Sequence, residues 1–96
     1  MTSKERSKLM SAAQGLDPVV HIGKSSLTPE ITASVDEAIA ARELIKIEVN
    51  KNCFDDLRGL GEMLSERTHS QLVQVIGRKI VLYRPAKEMK DRKYGV

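Results

Sequence analysis

The ten residues His21 to Glu30, HIGKSSLTPE, set a glycine, a lysine and two serines between the end of an apolar run and a strong helix start. A loop that only reversed the chain could use almost any polar residues. Gly23, Lys24, Ser25 and Ser26 instead bring small residues and one cation up to the amide donors of a helix amino terminus. There Thr28 is a good cap, Pro29 suits the first helical position, and Glu30 adds an acid to the first turn. The chemistry this arrangement suits is anion binding, with phosphate the commonest candidate. The glycine spacing of a P-loop is absent, as is that of a dinucleotide fingerprint. A plain strand-to-helix connection is the competing reading of the same residues.

No other set of residue types converges on chemistry. His21 and His69 lie far apart, one on a strand and one in a loop, and neither has a Cys or His at metal-ligand spacing. His21 is expected on an open strand face and His69 on the surface. Cys53 has no neighbour that would lower its pKa, so an inert structural role is expected. The pairs Asp36-Glu37 and Asp55-Asp56 are adjacent in sequence and point in different directions on a helix, as solvated faces do. No metal site, no cofactor and no catalytic residue is expected.

The elements that must position the loop are legible in turn. Thr2 and Glu5 have the spacing of a capping box, and Ser3 to Gln14 reads as a helix with Leu9, Met10 and Ala13 on its apolar side. Its first turns carry Lys4, Arg6 and Lys8, the wrong sign for a helix amino terminus. Asp17-Pro18 breaks the chain before a short strand, Val19 to Ile22. A second helix follows Thr28, with Ile31, Val35, Ala38 and Ile39 as its buried stripe. Glu43 to Val49 alternates as a strand with one face in a core and the other in water. Phe54, Leu57, Leu60, Gly61 and Leu64 mark a third helix, Asp55 to Arg67. Gln71 to Ile76 and Lys79 to Arg84 then flank Gly77-Arg78, a type II′ hairpin signal. Residues 87 to 96 read as a charged, mobile tail. The class is α/β, a single domain over residues 1 to 86 in the order α-β-α-β-α-β-β, with helices covering a mixed sheet.

Composition agrees and narrows the partners. The chain has 96 residues, 41% hydrophobic and 30% charged, which fits one folded domain rather than a disordered or membrane chain. Net charge is +3. It is unevenly spread: residues 1 to 15 carry three bases and one acid, and residues 84 to 96 five bases and two acids. Aromatics are Phe54, Tyr83 and Tyr94 alone, too few for a platform of stacked rings, so any nucleic-acid contact must lean on backbone and charge. A lone cysteine permits no internal disulfide and suits a reducing cytoplasm. With no signal core and no apolar run of spanning length, neither secretion nor membrane insertion is expected.

The segments Val20-His21-Ile22-Gly23-Lys24, Leu27-Thr28, Glu43-Leu44-Ile45-Lys46, Phe54-Asp55-Asp56 and Val73 to Pro85 together resemble the CRM domain family, named for chloroplast RNA splicing and ribosome maturation. The likeness is to its bacterial stand-alone form, the YhbY-like proteins, and runs through nearly the whole chain. It implies a four-stranded mixed sheet with three helices, related to the carboxy-terminal domain of translation initiation factor three. It also implies RNA binding through a GxxG loop, similar in kind to the loop with which KH domains clamp a backbone. In the bacterial branch the RNA is ribosomal, in a precursor of the large subunit, and the protein a monomeric, non-catalytic assembly factor.

Carried onto this chain, the loop is Gly23, Lys24, Ser25 and Ser26, with Ser26 where the family usually has its second glycine. Serine keeps the backbone approachable but resists positive φ, so a loop less able to adopt the family's turn is expected. Further RNA-contacting candidates are Lys4, Arg6 and Lys8, then Lys46, Arg84 and Lys87. About four such phosphate contacts would give a log K against log salt slope of about −3. The alternative function is a protein-interaction module that docks on a ribosomal protein or partner factor through an exposed sheet face, without direct RNA contact.

Overall fold

Local capping fixes where the helices begin in the computed structural model, which describes residues 1–96. Helix α1 (Ser3–Ala13) opens on the expected capping box: Glu5 N–H donates to Thr2 Oγ1 at 3.1 Å and Thr2 N–H to Glu5 Oε1 at 2.8 Å. That second bond holds the Glu5 carboxyl below its ordinary range. Strand β1 (Val20–Ile22) leads to helix α2 (Pro29–Arg42), whose cap Thr28 accepts from Ile31 N–H. After strand β2 (Leu44–Val49) comes helix α3 (Leu57–Arg67). There Asp56 is the cap itself, accepting from Gly59 N–H, rather than an acid inside the first turn.

Strands β3 (Gln71–Ile76) and β4 (Lys79–Tyr83) form the expected hairpin. Gly77 takes φ +58 while Arg78 keeps a negative φ, the sign pattern of a type II′ turn rather than a type I′. The sheet order is β1-β2-β4-β3, with β1 parallel to β2 and the other pairs antiparallel. A mixed sheet of four strands and three helices is therefore established.

Two cores sandwich that sheet. On one face α2 and α3 bury Val35, Ile39, Leu60 and Leu64 against Ile22, Ile45, Ile47, Val49, Ile80 and Leu82. Gly61 brings α3 close enough that a Cβ there would lie 2.9 Å from Leu72 Cδ1. On the other face α1 buries Leu9 and Ala13 against Leu44, Val73, Val81 and Tyr83. The sequence reading of β2 as one face in core and one in water is thus corrected. Alternation marks Lys46 and Glu48 as half-exposed, but it cannot see that α1 covers the Leu44 end of the same face.

The carboxy-terminal segment packs back on the domain. Glu43, 3% exposed, accepts from Ala86 N–H and, at 2.7 Å, from Lys93 N–H. Tyr94 packs edge-on against Tyr83, whose hydroxyl donates to the Val96 carbonyl. Burial, with the Glu43 carboxylate nearby, pushes the Tyr83 phenol above its ordinary pKa.

Candidate functional site

The Gly23–Ser26 loop leaves the carboxyl end of β1 as a turn closed by Ser26 N–H donating to Gly23 O at 3.0 Å. Lys24 and Ser25 keep negative φ, which makes the turn type I, since type II needs φ above zero at its third residue. Ser26 then takes φ +57. The expectation that serine would withhold the glycine-like turn is overturned, and the reason is tertiary. The Ser26 hydroxyl donates to a carboxylate oxygen of Asp55, which fixes the residue in the left-handed region.

A right-handed residue followed by a left-handed one turns successive amides to the same side, the concavity that receives anions in other proteins. Here those amides belong to Ser25, Ser26 and Leu27. The donors at the helix start are scarcer than the sequence suggests, because Pro29 has no N–H and Ile31 N–H is held by Thr28. The amides of Lys24, Ser25 and Leu27 find no backbone acceptor in the chain. Glu30 N–H is the donor left free in the first helical turn, so most of the free donors belong to the loop, with the exposed Lys24 beside them.

A second loop, residues 50 to 56, forms the other wall of this corner, because β2 runs parallel to β1 and ends at the same edge of the sheet. A Cβ at Gly23 would sit 3.9 Å from both Asn50 Nδ2 and Asn52 Oδ1. Arg78 braces this loop from the hairpin turn: its Nε donates to Val49 O and its Nη2 to Asn50 O and Cys53 O, each at 2.8 Å. Lys51 and Phe54 are exposed at the rim, while Cys53 is buried in the core as expected of an inert thiol.

Asn50, Lys51, Asn52, Phe54 and Arg78 were not among the sequence-derived site candidates. The signal that could have found the loop is topological: in a sheet with parallel strands, ligands gather beyond the carboxyl ends of neighbouring strands.

The remaining sequence candidates lie elsewhere. Lys46 projects on the α1 side of the sheet, lining a groove past the end of α1 with Gln14, Gln74 and Lys79. Arg6 reaches the far edge strand, donating to Leu72 O at 2.9 Å and Val73 O at 2.5 Å. These carbonyls sit at a bulge in β3, which explains a base at the wrong end of a helix dipole. Arg84 pairs with Asp36 at 2.8 Å and donates to Thr68 O, tying α2 to the end of α3. Lys4, Lys8 and Lys87 are exposed at that same end, remote from the loop.

Three strand spacings, about 14 Å, separate β1 from β3 across the sheet, and a six-residue strand adds about 20 Å along it. The structure thus sets the Gly23–Ser26 loop beside the 50–56 loop, which carries Lys51 and is braced by Arg78, and leaves Lys4, Arg6, Lys8, Arg84 and Lys87 at the other end of the sheet.

His21 Nδ1 stands 3.9 Å from Glu48 Oε2 on the open part of the sheet, and Lys79 Nζ 3.6 Å from Glu48 Oε1. His69 is exposed at the end of α3. No group of three or more His, Cys, Asp or Glu side chains gathers as metal ligands would. No helix is long and apolar enough to cross a membrane.

The chain is similar to known proteins over nearly its whole length. The model of the CRS1 / YhbY (CRM) domain matches residues 1–84. The Probable RNA-binding protein YqeI of Bacillus subtilis is 41% identical over 91 residues, 95% of each chain. An RNA-binding protein of Haemophilus influenzae is 32% identical over 90 residues, covering 94% of this chain and 91% of its own. Among solved structures, the solution structure of the hypothetical protein SAV1595 from Staphylococcus aureus superposes with a TM-score of 0.81 at 44% identity, over 98% of both chains. The chain belongs to the CRS1 / YhbY (CRM) domain family.

Proposed function

We propose that the protein binds RNA at the corner formed by the Gly23–Ser26 and 50–56 loops, with phosphate oxygens accepting from the loop amides and Lys24 supplying the counter-charge. The observation that carries this reading is the loop in which Ser26 takes φ +57 and the amides of Lys24, Ser25 and Leu27 have no backbone acceptor, next to an exposed lysine. The names of the relatives point the same way. The RNA on this reading is ribosomal, in a precursor of the large subunit, and the protein acts in the cytoplasm as a monomeric, non-catalytic assembly factor.

Lys24→Glu tests the reading against docking on a protein partner. With large-subunit ribosomal RNA fragments, the variant is expected to lose at least tenfold in affinity while its melting temperature stays unchanged. Unchanged affinity would favour docking. On a strand short enough to contact the corner alone, Lys24, Lys51 and Lys79 should give a log K against log salt slope of about −2, a shallower dependence than four cations would produce. Crosslinking on sedimented ribosomal precursors, followed by sequencing of the attached RNA, tests the ribosomal assignment.

A further inference from the structure

Phe54 is the only phenylalanine of the chain, and it is 94% exposed. It is the most exposed of the large apolar side chains, although the fold readily buries an aromatic ring elsewhere, with Tyr83 at 1%. Its backbone is held on both sides. Cys53, before it, is in the core with its carbonyl bound by Arg78, and Asp55, after it, accepts from the Ser26 hydroxyl. A ring exposed on so well-anchored a segment is presented rather than merely left out. It stands one residue and one hydrogen bond away from the loop whose Lys24, Ser25 and Leu27 amides have no backbone acceptor.

We infer that Phe54 is a stacking platform for an unpaired base of the RNA strand whose phosphate lies at the Lys24, Ser25 and Leu27 amides. This rests on the RNA-binding reading above and adds to it that the ligand is single-stranded at this corner. Base faces stack on a lone aromatic ring whatever the sequence, whereas bases within a duplex are stacked on one another and out of reach. The surroundings favour a base over a protein partner. Asn50, Lys51, Asn52, Asp55 and Asp56, which flank Phe54 in its loop, are all exposed and polar, whereas the aromatic anchors of protein interfaces are set in an apolar, charge-depleted patch. The scarcity of aromatics therefore excludes a multi-ring platform but not a single stacking residue.

The chain has no tryptophan, so Phe54→Trp places one indole reporter at the proposed contact. Wild type, Phe54→Ala, Phe54→Trp and Lys24→Glu are titrated with a 12-nucleotide oligo(U) strand and with a 12-base-pair RNA duplex. Phe54→Ala is expected to weaken the single strand about tenfold and leave the duplex unchanged. Phe54→Trp is expected to keep wild-type affinity, with its fluorescence quenched at saturation by the strand. If Lys24→Glu loses binding while Phe54→Ala binds oligo(U) as wild type does, or the indole is not quenched, the stacking role is refuted and the loop reading stands. If wild type binds neither RNA, both fall. A ring that leaves RNA affinity untouched but is needed for capture by a ribosomal protein would refute base stacking in favour of protein docking.

Discussion

Ser26 occupies a conformation that costs an L-residue about 1–2 kcal/mol relative to glycine, and it does so in the loop proposed to receive phosphate. Its hydroxyl offsets part of that cost by binding Asp55 across the gap between the two loops. Removing the hydroxyl while keeping the Cβ leaves the strain without the compensation. Ser26→Ala is therefore expected to be less stable than Ser26→Gly by about 1 kcal/mol in urea unfolding, the glycine recovering the backbone term. Equal stabilities would mean that the left-handed conformation does not persist. The sequence showed which four residues form the loop because glycine and small polar residues punctuate a pattern. The sign of φ at Ser26 was not legible, since it is decided by a carboxylate 29 residues away. For the same reason the open position of Phe54 was hidden: apolar residues before a helix read as core until the packing is known.

At the scale of elements, boundaries were legible to within a residue or two, because caps and periodicity act over a few residues. Thr2, Thr28 and the Gly77-Arg78 turn are each local devices. What escaped is what arginines and acids do between elements. Arg6 satisfies the bulged edge of β3, Arg84 ties α2 to α3, and Glu43 fastens the terminal segment, all through partners distant in sequence. Arg78 bears most directly on the site, since its single guanidinium caps three carbonyls of the wall beside Gly23. Arg78→Ala should lower stability by about 2 kcal/mol, and it should speed amide hydrogen exchange of residues 50 to 56 more than that of β3. Arg78→Lys should recover only part of this, because an ammonium cannot reproduce the planar fork. Exchange that rises evenly over the domain would show that Arg78 braces the whole fold rather than this loop.

For the whole molecule, folding turns a charge pattern along the chain into a polarity in space. The basic amino-terminal and carboxy-terminal segments converge at one end, where Lys8 lies beside Gly95 and Glu43 holds Lys93, while the Gly23 corner stands at the opposite end. A length of about 20 Å along the strands and about 14 Å across them separates the corner from the second basic end, so a strand of a few nucleotides held at the corner falls short of that end while a long one reaches it. Two ranges of contact follow from this length. The double variant Lys4→Glu, Lys8→Glu should bind a 6-nucleotide strand as wild type does, yet bind a 30-nucleotide ribosomal RNA fragment more weakly. Its log K against log salt slope on the longer RNA should be shallower by about 1.4, the share of two phosphate contacts. Lys24→Glu should weaken both lengths alike. If the double variant weakened the short strand as much as the long one, the termini rather than the corner would be the primary site, and RNA would enter from the end that α1 and the docked carboxy-terminal segment build together.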